Sequence, residues 1–403
     1  MCNWVSNIVA ALCLLTLTAC GGGPEGVLAP IAANTLSPSA SDVTMLVATS
    51  RKPSGDPATL FTGERSPTLS LTDLTISIPP GRASGTVEWP KKLPPNPQKD
   101  FAVVAAKNLS VPQAGDWLHA HNANGHVLVF VHGFNNRYED SVFRFAQFVH
   151  DSGAKVTPIL FTWPSRASVL DYNYDKESTN FSRTAFERAL KALADDRSVT
   201  DITVMAHSMG TWLAMEGLRQ MALQDGRVSP KIRNVILASP DLDVDVFGRQ
   251  WTELGLEKPK FTIMISRDDR ALAISRLISG DVDRVGQIDP SKEPYKSKLQ
   301  AAGITVIDLT NVKTNDRLNH SKFAESPQIV ALLGAQLASG QILTDSRVGL
   351  GDGLGMVIAG TVGTVGKVAA TTVSAPIAIV EGKRNAPAPD QLGTILKADP
   401  AAE

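Results

Sequence analysis

Cysteine is almost missing from this chain. The three present are Cys2, Cys13 and Cys20, so nothing beyond residue 20 carries a thiol. That excludes a disulfide framework, a thiol nucleophile and a cysteine-held metal from the folded body. An excess of either charge is missing too. Lys plus Arg number 39 and Asp plus Glu 40, a net charge of -1, with no basic cluster and no acidic tail. General nucleic-acid binding is not expected from such a balance. The apolar run Ile8 to Leu17 is shorter than the about 20 residues that a membrane-crossing helix needs. Histidine is sparse, at positions 119, 121, 126, 132, 150, 207 and 320 alone. Apolar surface is plentiful. A chain of 403 residues that is 43% hydrophobic can bury a large core, as one domain with tails or as two domains.

Residues 1–19 read as a signal peptide with Ile8 to Leu17 as its apolar centre. Leu17-Thr18-Ala19-Cys20 resembles the lipobox of bacterial lipoproteins. That resemblance implies cleavage before Cys20, lipidation of Cys20 and attachment to a membrane of the cell envelope. Gly21 is not the acidic residue linked to inner-membrane retention in enteric bacteria, which points to the outer membrane. Residues 20–41, rich in Gly, Pro, Ala and Ser, read as a flexible tether.

The next stretch is β-rich and antiparallel, punctuated by Pro and Gly. Asp42 to Thr49 and Leu74 to Ile78 are strands, residues 50–70 carry turn residues, and Phe101 to Ala105 is a further short strand. From Gly125 the rhythm becomes strand–helix alternation. Strands are expected at His126 to Val131, Val156 to Thr162, Asp201 to Ala206, Asn234 to Ala238, Phe261 to Ile265 and Ile304 to Leu309. Helices are expected at Tyr138 to His150, at Ser178 to Ala194 with Phe181, Ala185, Ala189 and Leu193 on one stripe, after Gly210, and after Pro327. Near-continuous apolar strands separated by helices mean a mostly parallel sheet covered on both faces. Residues 341–403 form a Gly- and Ala-rich tail. Within it Gly355, Ala359 and Gly363 have small-xxx-small spacing, readable as a helical hairpin, as a tail docked on the body, or as a membrane contact.

The chain is organised around Ala206-His207-Ser208-Met209-Gly210. A strand that turns into a helix around x-Ser-x-Gly is a nucleophile elbow. The turn is sharp, so its flanks must be small; Gly210 is, and Ala206 adds one methyl. The bland reading of Ser208 is an N-cap opening an ordinary helix. In a fold built this way the base follows the serine, and only His320 does. His207 precedes Ser208 on a strand, so its side chain faces the other way and reads as structural. His119, His121 and His126 lie near one another with only Asp116 beside them, so no metal site is expected, and no cofactor.

The order Val131-His132-Gly133-Phe134, Ser208, Asp268-Asp269, His320 makes the chain resemble an α/β hydrolase. More closely it resembles a group of bacterial α/β hydrolases of unassigned function. That resemblance rests on Ala48-Thr49-Ser50-Arg51, Val131 to Asn135, Phe161-Thr162-Trp163-Pro164-Ser165, Tyr174-Asp175, Ala206 to Gly210, Ala238-Ser239-Pro240-Asp241 and His320 to Ser326. It covers residues 42–340. It implies an α/β-hydrolase fold, a mostly parallel sheet flanked by helices, with the antiparallel N-terminal part and no large cap. It also implies a triad of Ser208, His320 and an acid after the strand before last. Asp269, which precedes Arg270-Ala271-Leu272, is the choice; Asp268, whose side chain could instead cap the helix, and Asp241 stay open. In the family His132 shapes the oxyanion loop, and the backbone N–H groups of Phe134 and Met209 are the oxyanion donors. Asn135, Trp163, Tyr172 and Tyr174 fall on the rim where substrate should lie, and loop packing is the rival role for all four.

The expected activity is hydrolysis of a small-molecule or lipid ester through an acyl-enzyme, with amide, thioester and lactone bonds open to the same triad. The rival from another class is a non-catalytic envelope lipoprotein that uses the fold as a binding or scaffold module.

Overall fold

The computed structural model describes residues 24–339 and two short strands, 355–358 and 361–364. Cys20, the signal-peptide run and the rest of the C-terminal tail lie outside the described residues, as does the separate unit Val368–Glu403.

In chain order the elements are β1 (Ser41–Pro53), β2 (Phe61–Ile78), β3 (Ala102–Leu109), α1 (Val111–His121), β4 (His126–Val131), α2 (Tyr138–Ser152) and β5 (Thr157–Thr162). Then come α3 (Tyr172–Asp195), β6 (Asp201–His207), α4 (Gly210–Asp225), β7 (Ile232–Ala238), α5 (Val244–Glu253), β8 (Lys260–Ile265) and α6 (Arg270–Ile278). The last are α7 (Tyr295–Ala302), β9 (Thr305–Asp308), α8 (Lys322–Glu325), α9 (Pro327–Ser339), β10 (Gly355–Ile358) and β11 (Thr361–Thr364). The strands form one sheet in the order β11-β10-β9-β8-β7-β6-β4-β5-β1-β2-β3. Pairing is parallel without a break from β9 to β1. It is antiparallel at both ends, where β1, β2 and β3 form one ribbon and β9, β10 and β11 the other.

Side-chain alternation along each central strand divides the core in two. Val127, Val129 and Val131 of β4 join Val204 and Ala206 of β6 on one face, under Phe186 and Leu190 of α3 and Leu213 and Leu218 of α4. Leu128, Phe130 and Met205 point to the other face, under Val142 and Phe145 of α2 and Ile329 and Leu333 of α9. Strands this apolar on both faces need helices on both sides, and the parallel crossovers supply them.

Four sequence expectations change. First, β2 begins at Phe61, so residues 61–70, expected as turns, are strand. Glu64 and Arg65 break the apolar alternation there because both join polar contacts with Arg166, Ser178 and Tyr174. Second, residues 24–40 are not a free tether. Val27 and Leu28 are buried in the second core, and the Leu28 and Ile31 N–H groups bond Ala58 and Val103. An apolar pair inside a polar linker is enough to dock it. Third, α3 starts at Tyr172, and its buried line is Ser182, Phe186, Leu190 and Leu193, with Phe181 exposed. Fourth, residues 355–358 and 361–364 are strands on the β9 edge, not a helical hairpin. No helix among the described residues is long and apolar enough to cross a membrane.

Candidate active site

The C-terminal edges of the parallel strands bring the expected residues to one side of the sheet. β6 ends at His207, and Ser208 takes a left-handed conformation, φ 52°, before α4 begins at Gly210. A non-glycine residue held there stores strain, about 1 kcal/mol or more, that the surroundings must hold in place. They do so through β7: the Ser208 N–H donates to Ala238 O at 3.0 Å, and Ser208 O accepts the Asp241 N–H at 3.2 Å. Two glycines make the turn possible. A Cβ on Gly210 would sit 2.2 Å from His132 O, and one on Gly133 would sit 2.8 Å from the Ser208 Cβ. The end of β4 therefore presses directly against the serine.

After β8, Asp269 uses both carboxylate oxygens. Oδ1 accepts the Leu272 N–H at 3.0 Å and caps α6, while Oδ2 accepts from His320 Nδ1 at 2.7 Å. Capping, which the sequence offered as the role of Asp268, belongs to Asp269 together with the contact to histidine. His320 follows β9 in a loop fixed by Asp316, whose Oδ2 accepts the His320 and Ser321 N–H groups at 2.6 and 2.7 Å. His207 supports the same loop: its Nε2–H donates to His320 O at 3.2 Å, and its ring packs on Phe323. Burial pulls the His320 pKa down, but the charge and hydrogen bond of Asp269, with Asp241 and Asp316 behind, prevail and hold it above 6.5. Burial, and then the neighbouring His320, keep His207 well below 6.5 and so neutral. With Nδ1–H on Asp269, the Nε2 of neutral His320 is an acceptor.

The other acidic candidates have different partners. Asp268 accepts from Lys322 Nζ at 2.8 and 3.1 Å, from Ser266 Oγ at 2.6 Å and from Asn319 Nδ2 at 3.0 Å. Asp241 accepts from Tyr172 Oη at 3.1 Å and Ser275 Oγ at 2.5 Å, with the Arg284 guanidinium 3.3 Å away.

Phe134 follows Gly133 beside the elbow, and its ring meets Tyr172 edge-on at 5.2 Å. Among the described residues the N–H groups of Phe134 and Met209 have no protein acceptor. His132 is buried and stacks on Trp163; its Nδ1–H donates to Gly133 O at 2.8 Å and its Nε2 accepts the Trp163 N–H at 3.1 Å. Burial, and the nearby Arg51, lower its pKa to about 3, so it stays neutral. Trp163 is not on an open rim. It is fully buried, and its indole N–H donates to His132 O at 2.8 Å. Tyr174 lies away from the rim as well, its ring stacked by Arg166 and Arg65 and its hydroxyl donating to Gly63 O at 3.2 Å. An aromatic near the start of a helix looked exposed because the long β2 that covers it was not read from the sequence. Asn135 is half-buried, left-handed at φ 58°, and its N–H faces Asp175 at 3.4 Å. The remaining histidine cluster disperses: His119 pairs with Asp196, His121 stacks on Trp117 and His126 pairs with Asp201.

Sequence reasoning named Arg51, Ser165 and Asp175 within the motifs of the resemblance but assigned them no role; all three are buried and polar behind this site. The available signal was a lone Arg ending the uncharged run Val43 to Ser50.

The sequence itself gives the family. The curated Nostoc protein alr1448, described as uncharacterised, is 32% identical over 77 residues, a match spanning 18% of this chain and 20% of that protein. The Pyrobaculum calidifontis esterase structure is 12% identical, with a TM-score of 0.33, covering 76% of this chain and 87% of the esterase. The family model for "alpha/beta hydrolase of unknown function (DUF900)" matches residues 113–336, from α1 through α9, and to that family this chain belongs.

Proposed function

We propose that this α/β hydrolase is a serine hydrolase that cleaves a carboxylic ester through Ser208, His320 and Asp269. The observation that carries the reading is the 2.7 Å contact from His320 Nδ1 to Asp269 Oδ2 beside a left-handed serine at the end of a central strand. Ser208 Oγ attacks the acyl carbonyl while His320 Nε2 takes its proton. Asp269 keeps Nδ1–H in place and stabilises the imidazolium that forms. The tetrahedral oxyanion draws on the Phe134 and Met209 N–H groups, two donors with no protein acceptor among the described residues. Collapse expels the alcohol with the proton from His320. Water, deprotonated by the same imidazole, then hydrolyses the acyl-enzyme and frees Ser208. An ester panel of varied acyl length tests this, run on the wild type and on Ser208→Ala. Turnover that disappears in the variant supports it, and near wild-type turnover in the variant contradicts it.

The cellular setting in this reading is the envelope, with a lipidated Cys20 as anchor and the outer membrane preferred. Its support is the lipobox-like Leu17-Thr18-Ala19-Cys20. One chain binds a membrane only marginally and several hold firmly. Cys20→Ser should therefore move the protein from the membrane fraction to the soluble one, and unchanged sedimentation would count against this anchor.

A further inference from the structure

The loop that carries Phe134 is held by its backbone, and three of its handles come from elsewhere in the fold. Inside the loop, Gly133 O accepts from His132 Nδ1 at 2.8 Å and Asn136 Nδ2 at 3.3 Å. A peptide is planar and trans, so pinning that carbonyl aims the Phe134 N–H on its far side. From outside, Arg51 Nη2 on β1 donates to Asn136 O at 2.7 Å. The Ser165 Oγ after β5 accepts the Asn136 N–H at 3.1 Å, and Asp175 Oδ2 on α3 accepts the Asn135 N–H at 3.4 Å. The handles are joined to each other. Ser165 Oγ donates to Asp175 Oδ2 at 2.5 Å, and Arg51 Nη1 donates to Ser165 O at 3.1 Å. Arg51 also donates to His132 Nε2 at 3.4 Å, the ring that pins Gly133.

Arg51 and Asp175 are almost wholly buried, at 1% and 0% exposure. Arg51 directs its hydrogen bonds to Thr62 O, Ser165 O, Asn136 O and His132 Nε2 rather than to a carboxylate. Buried charges of this kind stabilise a fold poorly compared with apolar filling of the same volume. What they supply here is direction: each fixes a backbone group of one short loop.

We propose that Arg51, Ser165 and Asp175 form a positioning clamp that aims the Phe134 N–H at the oxyanion formed on Ser208. The inference rests on the reading of Ser208 as nucleophile. The clamp carries its own pH dependence. Burial pushes the Asp175 carboxyl up to about 6, against the pull of Ser165, the Arg166 and Asn135 N–H groups and Arg51. Glu139 and Asp140 of α2 also act on Arg51 through their charge. A protonated Asp175 gains a donor and loses acceptor capacity, so one of the three groups that donate to it loses its partner.

Asp175→Asn in the full chain tests the clamp, with Ser165→Ala, which leaves both charges in place, as the second variant. For Asp175→Asn, kcat on a short-chain ester should fall about 10- to 100-fold, below the about 10²- to 10³-fold loss of a whole oxyanion donor, with KM within about threefold. The wild-type acid limb should steepen towards two protons below pH 6 and fall back to one in Asp175→Asn. Fluorophosphonate labelling at Ser208 should still reach full stoichiometry in both variants, which separates mispositioning from unfolding. Ser165→Ala should lower kcat about 10-fold, and it decides by the same readouts if Asp175→Asn does not fold. Wild-type kcat and an unchanged acid limb in the folded variants overturn the clamp alone. A folded wild type that takes no label at Ser208 overturns the nucleophile, and the clamp with it.

Discussion

Two histidine–aspartate pairs lie at opposite edges of the sheet with nearly the same contact. His320 Nδ1 is 2.7 Å from Asp269 Oδ2, and His126 Nδ1 is 2.6 Å from Asp201 Oδ2. Their surroundings differ. His126 and Asp201 are cross-strand neighbours at the first residues of β4 and β6, and the His126 side chain is 29% exposed. Asp269 is closed from solvent, its other oxygen caps α6, and its histidine sits in a loop fixed by Asp316 and His207. Left-handed residues also gather at this edge, among them Asn135, Ser208, Ser239 and Asn319, each just after a strand or in the His320 loop. A short His–Asp contact is therefore weak evidence of chemistry. The strained turns and open N–H groups at the carboxyl edge separate the two pairs.

The largest effect that sharpens this contrast is on rate. Ser208→Ala should lower kcat by about 10⁴-fold or more, with the melting temperature near that of wild type. Asp269→Asn should follow, costing up to about 10⁴-fold by removing the charge on the imidazolium and favouring the wrong tautomer. It should also move the acid limb of kcat/KM to lower pH. His320 must be neutral to act as base, its pKa is held above 6.5 by Asp269, and that support is gone in the variant. An unshifted limb would mean that another group governs it.

Asp241→Asn should act on stability first. It takes a charge from a buried network with Tyr172, Ser275 and Arg284, a change worth about 3 kcal/mol or more, and its folded fraction should stay active. A collapse of kcat in folded Asp241→Asn, with Asp269→Asn active, would exchange their roles. Asp175 gives a smaller change whose sign depends on pH. Its pKa is raised from 3.8 to about 6, so it contributes stability below 3.8 that is lost as pH rises through about 6. The melting temperature of Asp175→Asn relative to wild type should accordingly be higher at pH 8 than at pH 4. Equal differences at both would show that this carboxyl is not perturbed. Smallest of all, Asp201→Asn should leave kcat/KM unchanged and cost about 1 kcal/mol, since Asp201 is buried but its His126 partner is partly exposed to water. A large loss of rate there would erase the distinction between the two pairs.

The parallel half of the fold was legible because each buried strand is an unbroken apolar run and each crossover helix has its own periodicity. The antiparallel half was harder. β2 carries Glu64, Arg65 and Pro67 within its first seven residues, which read as a turn until β1 and α3 are seen beside it. α1 went unread although its start was spelled out: Ser110 and Gln113 form a capping box with Pro112 between them. Its apolar face is short, so periodicity alone does not reveal it. At the site, chain order pointed to Ser208, His320 and Asp269, which follow β6, β9 and β8 in the structure. It misplaced Trp163 and Tyr174 on a rim, because distance from solvent depends on what packs over a residue. Arg51 and Asp175 reach the same loop from β1 and α3, 124 positions apart in sequence by subtraction of 51 from 175, and no local pattern links them.

The most direct measurement is the site of a covalent adduct. Folded full-length protein is treated with a fluorophosphonate and digested, and the adduct is located by mass spectrometry in the wild type, His320→Gln and Asp201→Asn. The account predicts one adduct, on Ser208, formed at wild-type rate in Asp201→Asn and slowed by orders of magnitude in His320→Gln. An adduct on another residue, no adduct on folded wild type, or equal rates in all three proteins would contradict it.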